Sequence, residues 1–168
     1  MDELARLNDR PAAEAGAALL RCCGSLRWVE ALLASRPFAD ASTLYATSDA
    51  AWWTLEPADW REAFAHHPRI GERDLRDRFT STEQWATSEQ ASARGAPEEL
   101  LTALAEGNQA YEERFGYIFI VCATGKSAEE MLALLLERLA HPPQDEIRIA
   151  AGEQAKITRL RLEKLLSP

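Results

Sequence analysis

Apolar residues recur at helical spacing along nearly the whole chain, and proline and glycine interrupt them at short intervals. No Asn-Gly or Asp-Gly pair joins two alternating runs, so the strongest signals of a β-hairpin are missing. The sequence therefore predicts an all-α fold, a compact bundle of about eight helices. The predicted helices lie at residues 11–23, 25–35, 41–54, 57–66, 81–94, 97–115, 127–140 and 144–166.

One segment departs from the helical pattern. Residues 117–123 read Tyr-Ile-Phe-Ile-Val-Cys-Ala, are rich in β-branched and aromatic side chains, and are followed by Thr124-Gly125. We expect a short, buried, extended segment between two helices. Its backbone amides and carbonyls would lack helical partners, so they need other partners, and a ligand is one candidate.

Size and charge limit the class of protein. The 168 residues are enough for one domain with a large core, and we expect residues 1–168 to form a single domain. The net charge is -8, and the basic residues are scattered, which argues against a nucleic-acid partner. Apolar runs are too short for a signal peptide or a membrane span, so we expect a cytoplasmic protein without a membrane partner. Cys22, Cys23 and Cys122 fit neither a disulfide framework nor a zinc-ligand spacing.

Two of the three histidines lie in the loop His66-His67-Pro68-Arg69-Ile70-Gly71-Glu72. Proline disfavours helical backbone in the preceding residue, so the helix before this loop should end near His67. The negative end of the helix dipole would favour a protonated imidazole there, which suits a proton donor. Metal binding is disfavoured, because adjacent side chains on a helix point about 100° apart and no companion ligand stands at the usual spacing.

The last predicted helix places an arginine among apolar residues. One stripe of that helix contains Ile147, Ala150, Gln154, Ile157, Arg161 and Leu165. Arg161 should therefore point toward the core, whereas Arg159 lies away from the stripe and is expected to face solvent. Two interpretations of Arg161 remain open: a buried structural ion pair, or a fork that binds a substrate carboxylate or ureido oxygen.

Other polar residues also share apolar faces. Asn108 lies in the stripe of the helix at 97–115, where a structural hydrogen-bonding role is favoured. Glu89 shares a face with Trp85, although Glu83 is almost as good a candidate on spacing alone. A phosphate-binding glycine loop and a nucleophile elbow are both missing from the sequence. Acid-base chemistry without a cofactor is what these residues favour.

Several short motifs follow one another between about residues 20 and 166. They are Arg36-Pro-Phe38, His67-Pro68-Arg69-Ile70-Gly71-Glu72, Trp85-x-x-x-Glu89-Gln90, Asn108-x-x-Tyr111-x-x-x-Phe115-Gly116-Tyr117, Phe119-Ile120, Gly125-Lys126-Ser127, Arg138-Leu139, Lys156-Ile157 and Arg161-Leu162. In this order the sequence resembles the decarboxylases of 2-oxo-4-hydroxy-4-carboxy-5-ureidoimidazoline (OHCU), which complete the breakdown of urate to (S)-allantoin. Two places depart from the family pattern: Ala140-His141 stands where an Asn commonly follows Arg-Leu, and Tyr117-Ile118 replaces a frequent Phe-Pro or Phe-Val pair.

The resemblance implies a role for particular residues. His67 corresponds to the catalytic histidine, Glu89 rather than Glu83 to the catalytic carboxylate, and Arg161 to the substrate-binding arginine, with Pro68 as a neighbouring contact. Backbone groups of Phe119, Ile120, Val121 and Cys122 are expected to hold the substrate ring and its ureido group.

It also implies an enzyme that binds a small ureidoimidazoline and needs no metal or organic cofactor, because the ring C=N of the substrate can accept the electrons left by carbon dioxide. We expect a homodimer, the commonest assembly of soluble oligomers. Two other classes stay open: an all-α metabolite- or protein-binding module without turnover, and an amidohydrolase-like enzyme acting on a related ureide.

Overall fold

The computed structural model describes residues 2–68 and 97–168. In these two ranges the chain forms helices and no β-strand, which confirms the all-α prediction. The helices are α1 (Glu3–Asp9), α2 (Ala12–Cys22), α3 (Leu26–Ser35), α4 (Ala41–Trp53), α5 (Pro57–Ala65), α6 (Pro97–Phe115), α7 (Ala128–Leu139) and α8 (Pro143–Leu165).

The sequence prediction missed α1, a seven-residue helix in which only Leu7 is buried, so it has no apolar stripe to detect. The predicted helix at 81–94 lies outside the described residues. Local chemistry explains two helix starts: Pro97 opens α6, and the Ser127 hydroxyl accepts a hydrogen bond of 3.2 Å from the Glu130 amide at the start of α7.

The described residues divide into two compact units. Of the described residues, the first unit contains 2–67, Ile120–Cys122 and Ile149–Pro168, and the second contains Pro68, 97–119 and Ala123–Arg148. The single-domain organisation expected for residues 1–168 stays a prediction. Among the helices described, none is long and apolar enough to cross a membrane.

Buried tryptophans form the core of the first unit, and each indole donates a hydrogen bond to a backbone carbonyl. Trp28 donates to Ser48 at 3.3 Å, Trp60 to Trp52 at 3.1 Å, and Trp52 to Ala151 at 2.9 Å. The last bond joins α4 to α8 within this unit. A buried indole N–H without a partner would be costly, so these bonds make the packing of the rings specific as well as apolar.

The Arg36-Pro37-Phe38 motif has a structural role in the first unit. The Arg36 guanidinium donates from Nη1 to the carbonyls of Leu7 and Arg10, at 2.9 and 2.8 Å, where α1 ends. Asn8 completes the contact: its side chain accepts from the Phe38 amide at 2.8 Å and donates to the Phe38 carbonyl at 2.9 Å. The motif therefore satisfies the open carbonyls at the end of a short helix.

A buried charged network lies in the second unit. Arg138 donates from Nε and Nη2 to one carboxylate oxygen of Glu146, at 2.8 and 2.6 Å, and the Tyr111 hydroxyl donates to the same oxygen. His141 contacts the other oxygen through Nδ1 at 3.1 Å. The sequence Ala140-His141 is one of the two departures from the family pattern. In the structure, His141 adds a contact to the buried Glu146 carboxylate.

The segment at 117–123 is not helical, as its composition predicted. It is not part of a β-strand either. Gly116, with φ of 81°, ends α6 in the left-handed conformation that glycine adopts without strain. Tyr117 is buried against Phe115 and Tyr111, with ring centroids 6.2 and 5.9 Å away. Phe119 packs in the second unit, where the Arg138 guanidinium lies 4.5 Å from its ring centroid.

Candidate active site

His67 follows the end of α5 directly, as the neighbouring proline predicted. Its amide donates to the Phe64 carbonyl at 3.2 Å, and the His66 amide donates to that of Ala63 at the same distance. These short-range bonds close the last turn before Pro68. His67 is half-buried, whereas His66 is exposed, so the two adjacent imidazoles have different environments.

The His67 ring is held by a buried glutamine. Its Nε2 lies 2.5 Å from Oε1 of Gln154 on α8, and the Gln154 amide donates from Nε2 to the Thr158 hydroxyl at 3.0 Å. Thr158 is in turn hydrogen-bonded to the side chain of Cys23. Gln154 and Thr158 were not recognised as site residues from the sequence, although Gln154 lies on the predicted apolar stripe, and a buried amide on such a stripe is the signal that could have found it.

The protonation of His67 differs from the sequence expectation. Burial lowers the pKa of His67, and electrostatic interaction with Arg161 and His66 lowers it further, while the hydrogen bond that His67 makes to Gln154 opposes the shift. The expectation of a His67 imidazole favoured in its protonated form is therefore wrong. Burial and a nearby guanidinium outweigh the partial charge of a helix end, so His67 is a neutral base at neutral pH.

Arg161 lies in the same unit as His67, and its charge acts on the imidazole. Its Nη1 donates to the Cys22 carbonyl, 3.4 Å away, at the end of α2. Arg161 is half-buried at the edge of the buried stripe of α8, which consists of Ala150, Ala151, Gln154, Thr158 and Leu162. The predicted stripe was therefore rotated slightly from the buried one. Arg159 is exposed, as predicted, and pairs with Glu163 at 2.8 Å.

A cavity of about 520 Å³ opens beside Arg161 in the first unit. Arg21 and His66 also line it, together with the small residues Ala17, Gly24 and Ala63. Gly24 is required by the close approach of His66, because an added Cβ would lie 2.2 Å from Cγ of that imidazole. The two arginines among the lining residues favour an anionic occupant. His67 is not among the residues that line this cavity. It interacts electrostatically with Arg161, which does line it.

The Ile120–Cys122 segment lies in the first unit. Ile120 and Cys122 are buried, Val121 is half-buried, and the Cys122 amide donates to Oε1 of Glu153 at 3.1 Å. The Glu153 carboxylate also accepts from Lys156 at 2.5 Å. From the sequence alone, a ligand is one candidate partner for the backbone of this segment. For the Cys122 amide, the partner in the structure is a side chain on α8.

The other predicted site residues lie in the second unit or outside the described residues. Pro68 is exposed and belongs, like Phe119, to the second unit. Glu89 lies outside the described residues, so its predicted catalytic role stays a prediction.

Cys22 and Cys23 are buried and form no disulfide, and burial raises the pKa of each thiol to about 11. They are therefore protonated at neutral pH and poor nucleophiles. Across residues 2–68 and 97–168, no group of three His, Cys, Asp or Glu side chains could hold a metal ion.

Comparison with known proteins gives a consistent set of relatives. The "Uric acid degradation bifunctional protein TTL" of Arabidopsis thaliana is 38% identical over 147 residues, which are 87% of this chain and 45% of that protein. The "2-oxo-4-hydroxy-4-carboxy-5-ureidoimidazoline decarboxylase" of Amia calva is 32% identical over 81% of this chain and 78% of that protein. The chain thus spans less than half of the plant protein and most of the Amia calva protein.

Solved structures have the same fold. A crystal structure of OHCU decarboxylase in the presence of (S)-allantoin matches with a TM-score of 0.71 and 36% identity, over 89% of this chain and 96% of that one. A crystal structure of (S)-allantoin synthase matches with a TM-score of 0.72 over 98% of this chain and 53% of that one, but at 21% identity it shows the fold alone. The sequence profile of the OHCU decarboxylase family matches residues 8–163. This chain belongs to the OHCU decarboxylase family.

Proposed function

We propose that this protein is a carboxy-lyase that converts OHCU to (S)-allantoin, the last step in the degradation of urate to allantoin, without a metal or organic cofactor. Family membership supports the reaction. The observation that carries it to this chain is that His67 and Arg161 lie in one compact unit, close enough for the guanidinium charge to lower the pKa of the imidazole.

The substrate supports chemistry without a cofactor. Its carboxylate is attached to a hydroxylated ring carbon next to a ring C=N. When carbon dioxide leaves, the bonding electrons form a C=C bond between the two ring carbons, and the C=N electrons move to nitrogen, which is protonated. The hydroxyl then loses a proton, the neighbouring carbon gains one, and allantoin results. One proton is taken up overall, because a carboxylate leaves as neutral carbon dioxide.

Each residue has a role in this scheme. The neutral imidazole of His67 accepts the hydroxyl proton and delivers a proton to one face of the neighbouring carbon, which sets the handedness of the product. Arg161 binds the carboxylate or the ureido oxygen through its planar fork. Glu89, assigned by resemblance alone, orients the imidazole or the substrate hydroxyl. Backbone groups of residues 119–122 and Pro68 contact the ring and the ureido group.

A coupled assay tests the proposal. Urate is oxidised freshly, the product is hydrolysed, and the handedness of the allantoin is followed by circular dichroism with and without this protein. We expect (S)-allantoin to form in a protein-dependent manner, with carbon dioxide released and no ammonia. A binding module would leave only the slow racemic background, and ammonia release would indicate an amidohydrolase; either result would reject the decarboxylase assignment.

We further propose that the protein acts in the cytoplasm as a homodimer. The absence of long apolar helices in the described part of the chain agrees with a soluble enzyme, and a twofold dimer is the commonest closed assembly. Sedimentation equilibrium tests the dimer, and a monomeric mass would contradict it.

A further inference from the structure

Gln154 is fully buried on α8, and its two polar ends have different partners. Its Oε1 faces Nε2 of His67 at 2.5 Å, and its own Nε2 faces the Thr158 hydroxyl at 3.0 Å. Thr158 is hydrogen-bonded further to Cys23, which burial keeps as a thiol. The fully buried amide is therefore hydrogen-bonded at both ends.

This orientation determines which nitrogen of His67 carries a hydrogen. An amide oxygen can only accept, so Nε2 of His67 must donate to it, in the neutral ring as well as in the imidazolium ion. The hydrogen on Nε2 is then present in both protonation states. The proton that comes and goes must be the one on Nδ1.

We propose that Gln154 is a positioning residue that holds His67 as the Nε2–H tautomer, so that Nδ1 is the atom that takes up and returns the catalytic proton. This inference rests on the proposed decarboxylase function. Gln154 itself does not touch the reacting atoms; it acts through the imidazole, as buried hydrogen-bond partners of catalytic histidines do.

Other charged groups act on the same ring. Arg161 from α8 and the adjacent His66 both disfavour the imidazolium ion of His67, and a guanidinium has no acceptor for the Nε2 hydrogen. Within the described residues, Gln154 is the side chain that supplies a hydrogen-bond acceptor to the His67 ring. The tautomer is thus set by one side chain 87 positions away in the sequence.

Histidine nitrogen NMR measures the tautomer directly. The chain has three histidines, and the His67 signals are assigned by their loss in His67→Asn. At a pH where the ring is neutral, we expect a protonated Nε2 and an unprotonated Nδ1 in the wild-type protein. In Gln154→Met, which keeps the length of the side chain but removes the acceptor, we expect a mixture of both tautomers.

Kinetics complete the test. We expect Gln154→Met to lower kcat by about 10- to 100-fold, as for a misplaced catalytic group, with a much smaller change in KM. Gln154→Glu restores the acceptor, so it should restore the Nε2–H tautomer and move the acidic limb of the pH profile to higher pH. Gln144→Met, at an exposed position on the same helix, is the matched control and should behave like the wild-type protein.

Two results would overturn the proposal. One is a neutral wild-type ring with its hydrogen on Nδ1, which would mean that Gln154 donates rather than accepts. The other is a Gln154→Met protein that folds, keeps the Nε2–H tautomer and turns over like the Gln144→Met control. Wild-type turnover is read separately, so a failure of the decarboxylase assignment is distinguishable from a failure of the tautomer assignment.

Discussion

The Arg161 guanidinium donates to the backbone carbonyl of Cys22, 3.4 Å away, and within the described ranges no carboxylate is paired with it. This contact agrees with our proposal that Arg161 is a fork available to a substrate. A carbonyl satisfies one donor of a guanidinium that has five, and others remain for an anion in the adjacent cavity.

Replacing Arg161 with Lys tests this role. The charge is kept but the planar fork is lost, so we expect KM to rise and kcat/KM to fall by about 10- to 100-fold, the value of one or two charge-assisted hydrogen bonds. Arg159→Lys, on the exposed face of the same helix, should change the kinetics little. Equal kinetic effects at both positions, or a loss explained by unfolding alone, would return Arg161 to a structural role.

Replacing His67 with Asn should lower kcat by about 10²- to 10⁴-fold, the usual contribution of a general acid-base group, while circular dichroism shows an intact fold. His66→Asn should have a much smaller effect, because His66 is exposed and lacks the Gln154 contact. If the His66 variant were the inactive one, the assignment within this loop would be wrong.

The pH profile follows from the lowered pKa of His67. Since burial and then Arg161 disfavour the imidazolium ion, the neutral base persists below the ordinary histidine pKa of about 6.5. Activity should therefore be retained as pH falls through 6.5 and be lost only at more acidic pH, measured as the acidic limb of kcat/KM. In Arg161→Gln, an NMR titration of His67 should give a higher pKa, because a positive charge is removed. A pKa unchanged by this substitution would contradict the proximity of the two groups.

Gly24→Ala should destabilise the protein by about 1–3 kcal/mol, as overpacking does. The new Cβ would lie 2.2 and 2.5 Å from Cγ and Cβ of His66, atoms close to the backbone that cannot move aside cheaply. Gly16→Ala is the control, since its Cβ would meet Leu33 at 3.4 Å and a helical Ala is favoured over Gly by about 0.5–1 kcal/mol. Urea denaturation compares the two; equal stabilities would disprove the close approach at Gly24.

Glu146→Gln should cost about 3–5 kcal/mol, because it leaves the buried Arg138 cation without its carboxylate. Glu163→Gln removes the partner of the exposed Arg159 and should cost less than about 1 kcal/mol. Thermal unfolding monitored by circular dichroism measures both. A small effect at Glu146 would contradict a stabilising role for the buried charge pair.

Much of the fold was predictable because it depends on neighbours in the sequence. Helical periodicity and local start and stop signals located α2–α8 in the described ranges, and Pro68 placed His67 at a helix end. The different exposure of Arg159 and Arg161 likewise follows from the angle between side chains two residues apart on a helix. The short α1 was missed because one buried residue makes no pattern.

Contacts between residues that are distant in the sequence were determined by the tertiary structure. Gln154 reaches His67 across 87 residues, and Arg161 reaches Cys22 across 139. The sign of the His67 pKa shift also came from packing: the local helix dipole favours protonation, whereas burial and the Arg161 charge, both products of the fold, oppose it and prevail. Periodicity fixes which face a side chain lies on, but the partner on the opposing surface is determined only when the helices pack.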